Sequence, residues 1–137
     1  MSDDDLFGQE HVKAYIDTDG ERGHDWKGTQ CLLLTTTGRK SGQPRVMPLI
    51  YAEDDGRQVV VASKGGAPEH PAWYLNLSSD SEVEVQVKGD RFPAIARDAE
   101  GDERERLWKR MTQEWPDYDA YQGKTDRQIP IVILERA

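Results

Sequence analysis

The alternation of apolar and polar side chains divides the chain into short strands and a few helices. It is strict over residues 82–87, where Val83, Val85 and Val87 share one face and Glu82, Glu84 and Gln86 the other, the pattern of a half-buried antiparallel strand. A β-rich apolar run predicts a strand over 30–37, and the continuous run over 129–134 predicts a central strand covered on both faces. Residues 43–52 read as a strand that Pro44 and Pro48 confine to a sheet edge or bulge. Asp54-Asp55-Gly56 is a turn signal, and 57–63 completes a hairpin. Lys88-Gly89-Asp90 turns into a further strand at 91–98.

Helical spacing predicts three helices. A short amphipathic one spans 6–16, ended by Asp17-Thr18-Asp19-Gly20 and followed by a loop over 21–29. The prolines at 68 and 71 suit the first turn of a short helix over 68–77. The main helix, 101–115, sets Leu107, Trp108, Met111 and Trp115 on one face and stops at Pro116-Asp117. About six mainly antiparallel strands and about three helices, joined by hairpins without βαβ alternation, predict an α+β domain built on a small antiparallel barrel.

Length and composition narrow what such a domain does. The 137 residues fit one domain, with 1–27 as a helical and loop extension, and leave no room for separate dinucleotide and substrate domains. Any cofactor therefore shares its pocket with the substrate or sits at a subunit interface. A formal net charge of −8 argues against nonspecific nucleic-acid binding and against electrostatic docking on anionic lipid. The single cysteine, Cys31, excludes an intrachain disulfide and, among Leu32, Leu33 and Leu34, reads as a buried structural thiol. His11, His24 and His70 lack metal-ligand spacing, so no metal is expected. The start Met1-Ser2-Asp3-Asp4-Asp5-Leu6 lacks the features of a signal peptide, and no apolar run reaches membrane-spanning length. The expectation is a cytoplasmic monomer or homodimer, with room for transient contact with a membrane surface.

Charge distribution alters this picture. Asp and Glu number 26, so even spacing would put about five in any stretch of 27 residues, yet 26–52 holds none. That stretch does hold Lys27, Arg39, Lys40 and Arg45. It is either a basic stretch on a solvated face or a pocket kept free of carboxylates for a polyanion. Two loops favour the pocket. Gly38-Arg39-Lys40-Ser41-Gly42 and Ser63-Lys64-Gly65-Gly66 each follow a β-rich run and combine cations with glycines that let backbone N–H groups turn toward an anion. Neither is a Walker A sequence or a G-x-G-x-x-G.

These residues carry a resemblance. Leu33-Leu34-Thr35-Thr36-Thr37-Gly38-Arg39-Lys40-Ser41-Gly42, Val61-Ala62-Ser63-Lys64-Gly65-Gly66, His70-Pro71-Ala72-Trp73-Tyr74-Leu75-Asn76 and Tyr121-Gln122-Gly123-Lys124-Thr125-Asp126-Arg127-Gln128-Ile129-Pro130 occur in order over about 100 residues. In them the chain resembles the actinobacterial deazaflavin-dependent nitroreductase and quinone reductase family. The resemblance implies a split β-barrel of the FMN-binding type. It also implies reduced 8-hydroxy-5-deazaflavin, coenzyme F-420, as ligand, with a tail of phosphodiester and glutamates that answers the acid-free stretch. Arg39, Lys40 and Arg45, with Ser41, would then meet the tail, and Lys64 with the Gly65 and Gly66 amides the phosphate. Pro71, Trp73 and Asn76 would lie along the coenzyme, and Pro48 and Ser63 beside its ring.

The coenzyme would transfer a hydride to a planar acceptor: a quinone, a nitroaromatic or an unsaturated lactone. Trp115, Tyr118 and Tyr121, spaced i, i+3, i+6, would form an aromatic wall over the ring if their segment is helical, with Ser63, Tyr118 and Tyr121 as the catalytic hydroxyls. Otherwise the tyrosines cover the core, as Trp73 does if it is an ordinary core aromatic. Three functions compete: a reductase, a non-catalytic coenzyme- or ligand-binding module, and an FMN- or haem-using split-barrel protein, the last disfavoured by both cationic loops.

Overall fold

The strand run that begins the acid-free stretch becomes the axis of the fold. The computed structural model describes residues 5–137, in the order α1 (Gly8–Thr18), β1 (Asp25–Trp26), β2 (Thr29–Thr37), β3 (Pro44–Asp54), β4 (Arg57–Val61), α2 (Ala72–Ser79), β5 (Glu82–Val87), β6 (Asp90–Asp98), α3 (Gly101–Glu114), α4 (Asp117–Gly123) and β7 (Ile131–Arg136). All strand pairs are antiparallel. Neighbours run β2-β3-β4-β7-β6-β5, and β5 returns to β2, so six strands close a barrel and β1 hangs on the outside of β2. Closure removes the free edges that a six-stranded sheet would otherwise expose.

The β3–β4 turn shows how local sequence sets register. Asp55 and Gly56 both take left-handed backbone (φ 52° and 77°), which an Asp-Gly pair accepts at small cost and which matches the twist of the strands it joins. Period-two alternation then sorts the side chains. Leu32, Leu34, Val60, Val83, Val85, Val132 and Leu134 fill the barrel, with Trp73 and Leu77 of α2 packed among them. The opposite residues, Val59, Val61, Ile131 and Ile133, form a second core under Leu107 and Met111 of α3. Leu33 meets Val12 and Tyr15 of α1. The doubly covered strand expected near the C-terminus is thus β7, between β4 and β6.

β3 serves two partners in succession. Residues 44–50 pair only with β2, and Tyr51 to Asp54 pair with β4. The proline-bearing half therefore has one side without a β-neighbour, as Pro44 and Pro48 require.

Several boundaries differ from expectation. The helix α1 begins and ends two residues later than expected, and β1 forms inside the expected loop. Pro71 caps α2 in extended conformation rather than entering its first turn, so the prolines precede the helix. Gln86 is buried against its strand's alternation because its amide donates to the Lys88 carbonyl at 2.9 Å. The aromatic segment after Pro116 forms a fourth helix. Residues 1–4, on which the reading of a leaderless N-terminus partly rests, lie outside the described residues. No helix among those described is long and apolar enough to cross a membrane.

Leu107, fully buried between α3 and the β-wall, is a sensitive probe of this second core. Leu107→Ala should cost about 2–5 kcal/mol in denaturant unfolding, the range for a cavity left in a well-packed site. A change of a few tenths would mean that α3 does not seal that wall.

Candidate functional site

Beside the unpaired half of β3 lies a cavity of about 870 Å³, within the range of small-molecule sites. Met47, Pro48, Leu49 and Ile50 form its floor. The β2–β3 loop, the segment after β4 and the start of α2 form one end, and the α3–α4 corner with the N-terminal segment forms the other.

The β2–β3 loop is held from both sides. Gly38 and Gln43 are joined by an N–H to carbonyl bond of 2.8 Å, and Ser41 Oγ accepts from the Gln43 amide at 3.1 Å. A Cβ on Gly38 would lie 2.6 Å from Ser41 Oγ and 3.2 Å from the Gln43 carbonyl, so a side chain there would displace the Ser41 hydroxyl from its bond to the Gln43 amide. From α2, the buried Asn76 accepts at Oδ1 from the Arg39 amide and guanidinium at 3.2 and 3.1 Å, and donates to Thr36 Oγ1 at 3.2 Å. Asn76 thus ties the loop tip to the helix. Arg45 reaches Ser41 Oγ at 3.5 Å. Among the described residues no carboxylate pairs with Arg39, Lys40 or Arg45.

After β4 the backbone steps from right-handed at Ser63 (φ −80°, ψ −38°) to left-handed at Lys64 (φ 46°) and Gly65 (φ 64°). This step turns successive N–H groups to one side and makes an anion-binding nest. Lys64 holds a conformation disfavoured for any side chain with a Cβ, a strain characteristic of ligand sites. Its Nζ lies 3.3 Å from Glu69 Oε1, both side chains being largely exposed, so the pair is weak and displaceable.

The other end is aromatic. Trp115 closes α3 and stacks on Trp26 (centroids 6.2 Å, planes 24° apart), and its indole N–H donates to the Tyr121 hydroxyl at 3.3 Å. Tyr118 and Tyr121 of α4 meet edge to face at 6.2 Å. Trp26 is anchored through its indole N–H to the Leu6 carbonyl at 2.9 Å. His11 donates from Nε2 to the Gly23 carbonyl at 2.8 Å. Trp115, Tyr118 and Tyr121 all line the cavity, and a helix break at Pro116 divides them between α3 and α4.

Arg39, Lys40, Ser41, Arg45, Pro48, Ser63, Lys64, Gly65, Pro71, Trp73, Asn76, Tyr118 and Tyr121 all line this one cavity. Gly66 does not, which corrects its expected place. Its amide donates to the Ser63 carbonyl at 2.9 Å, and a Cβ there would strike the Tyr121 backbone at 2.7 Å, so it serves the packing of the loop on α4. Trp73 is both core and lining. Tyr118, only 4 % exposed, joins the second core while edging the cavity, and burial pushes its phenol up. The helix α4 is thereby pinned, which argues against a lid that swings as a unit. Cys31 is buried as expected, and burial pushes its thiol up to about 12. Sequence reasoning missed His11, Trp26 and Phe7 as lining residues. The one available signal was Trp26 itself, an aromatic at the first position of the acid-free stretch.

Among the described residues no Asp or Glu lines the cavity, while four cations do, in a chain of net charge −8. A description of the F420H(2)-dependent quinone reductases as a sequence family matches residues 7–136. The chain belongs to that family. An F420H(2)-dependent quinone reductase of Mycobacterium tuberculosis is 40% identical over 130 residues, 92% of this chain and 87% of that protein. A solved F420-H2 dependent reductase (FDR-A) is 47% identical with a TM-score of 0.71, over 77% of this chain and 93% of its own. A solved domain-swapped dimer is 42% identical with a TM-score of 0.75, over 93% of this chain and 96% of its own. The split-barrel α+β fold expected from the sequence is the fold of these family structures.

The strain at Lys64 yields a separable prediction. Lys64→Gly relieves the left-handed backbone at the cost of unfolded-state entropy, so stability should rise by about 0.5–1 kcal/mol in thermal unfolding. The same change should weaken binding of a polyanion such as pyrophosphate, measured by calorimetry. A loss of stability would mean that the Lys64 side chain contributes more through Glu69 than its backbone costs.

Proposed function

We propose that this protein is an oxidoreductase that takes a hydride from reduced coenzyme F420 to a small planar acceptor, a quinone first. Nitroaromatics and unsaturated lactones are further acceptors of the same shape. The observation that carries this reading is a cavity lined by Arg39, Lys40, Arg45 and Lys64 and by no carboxylate among the described residues. The coenzyme's phosphodiester and glutamyl tail is a polyanion, and its ring is flat. The donor set fits it, with cations and a backbone nest at one end and stacked aromatics at the other.

When bound, the coenzyme supplies the hydride. The residues of this chain bind, orient and exclude water. Arg39, Lys40 and Arg45, with Ser41, would hold the tail, and Lys64 with the Ser63–Gly65 amides would hold its phosphate. Pro48 and Ser63, which line the same cavity, would border the ring. Trp115, Trp26 and the tyrosines offer flat surfaces for offset stacking of an acceptor. A quinone that gains a hydride also needs a proton on oxygen. Tyr121 is suited to hold one, because its hydroxyl accepts from Trp115 Nε1 and so keeps its own O–H for donation. Ser63 is a second neutral hydroxyl at the site, and Tyr118, kept protonated by burial, a third. The geometry favours turnover over mere binding because the acceptor wall and the tail site share one cavity. A cytoplasmic location belongs to the same reading. So does a monomer or homodimer, the latter supported by the domain-swapped dimer among the similar structures.

Three outcomes test it. Oxidation of the reduced coenzyme, followed by absorbance, should be accelerated by menadione, and binding without turnover would favour the non-catalytic alternative. Coenzyme affinity should fall steeply with added salt, and Lys64→Ala should cost about 1–3 kcal/mol of it, the order for a charge-assisted bond to phosphate. Tyr121→Phe should lower turnover about tenfold or more at unchanged coenzyme affinity. A matching loss of coenzyme binding would place Tyr121 in the coenzyme site instead.

A further inference from the structure

The segment between β4 and α2 contains the strained nest yet has no ladder partner of its own, so something else must hold it. Arg127, from the connection between α4 and β7, donates from Nε to the Ala67 carbonyl at 2.9 Å, from Nη2 to Ser63 at 2.8 Å and from Nη1 to Ala62 at 3.2 Å. The same Nη1 lies 3.1 Å from His70 Nδ1. One planar guanidinium thus spans both ends of the nest and the entrance to α2, which only a rigid fork of five N–H donors can do. Arg127 does not itself line the cavity.

The contact with His70 has a definite polarity. A guanidinium only donates, so His70 Nδ1 must accept, and the ring must be the neutral tautomer with its proton on Nε2. We propose that Arg127 is the positioning residue of the anion cradle and that neutral His70 is its latch, so that protonation of His70 opens the clamp and weakens coenzyme binding. This rests on the coenzyme reading above and goes beyond it.

Protonation at Nδ1 would set N–H against N–H and cation beside cation. The other groups around the ring come from α2 and β6. The Tyr74 ring lies tilted against it, centroids 4.7 Å apart, and its hydroxyl donates to Asp98 at 2.6 Å. Burial depresses the His70 pKa first, the Arg127 charge second, and Asp98 opposes them. Glu69, next in the chain, is engaged by Lys64. With a depressed value the native state binds fewer protons than the unfolded state just below the ordinary imidazole range. The clamp is therefore complete at neutral pH and is lost as pH falls through the lowered value.

The test is a fluorescence titration of the whole protein with coenzyme F420 from about pH 7.5 to about pH 5. Wild type failing to bind at neutral pH would overturn the coenzyme reading, not the clamp. His70→Asn keeps an acceptor near Nδ1 that does not titrate. Whatever its affinity at neutral pH, it should lose the wild type's severalfold acid weakening, while titration of the coenzyme itself is common to both. Arg127→Lys keeps the charge but not the fork, and should bind about tenfold more weakly, with the loss in coenzyme KM rather than kcat and with faster amide exchange at residues 63–66. Wild-type affinity in Arg127→Lys, or the same acid weakening in His70→Asn, overturns the proposal. Should Arg127→Lys fail to fold, His70→Asn decides alone.

Discussion

Pro44 and Pro48 carry no amide hydrogen, so the strand that contains them cannot be laddered on both sides, and the site follows from that restriction. β3 gives its proline-bearing half to β2 alone and turns to β4 only from Tyr51 onward. The barrel still closes, because β5 completes the circuit to β2 on the far side. What remains beside the unpaired half is a space that no strand can fill, floored by β3 and flanked by the loops that leave β2 and β4. Those loops carry the cations and glycines.

Electrostatics exploits this space by segregation. Several arginines already have carboxylates: Arg57 and Arg106 hold Asp54, Arg97 holds Glu103 and Glu135, and Arg136 holds Asp90. Those pairs sit away from the cavity. Around it, Arg39, Lys40 and Arg45 have no such partner among the described residues, and Lys64 has only the exposed Glu69. The field of a strongly acidic protein is thereby inverted at one opening, and an apolar wall at low dielectric sharpens it. A ligand with both a polyanionic tail and a flat ring satisfies the two ends together.

The cradle and the wall are not independent. Gly66 packs against the Tyr121 backbone, and Arg127, a few residues beyond α4, reaches back to the carbonyls around Ser63. Tyr118 anchors α4 in the core under α3. The loop that meets the tail and the helix that shapes the acceptor wall thus rest on one another, so a change in either is felt at both.

The six barrel strands, the role of Pro44 and Pro48, the covered C-terminal strand and the cationic loops were legible in the sequence, because period-two patterning, ring constraints and charge are local properties. The acid-free stretch pointed to a polyanion for the same reason: repulsion acts on composition as well as on contact. Tertiary structure alone decided the rest. His11 joins the site only because α1 folds back on β2, and Trp26 only because β1 pairs with β2 and lies against Trp115, 89 residues away in sequence. Gly66 left the site because its close neighbour is the Tyr121 backbone, and Asn76 and Arg127 acquired their partners through loops that meet only once the barrel has closed. Side-chain spacing records which face of an element is apolar, but not which distant backbone will be packed against it.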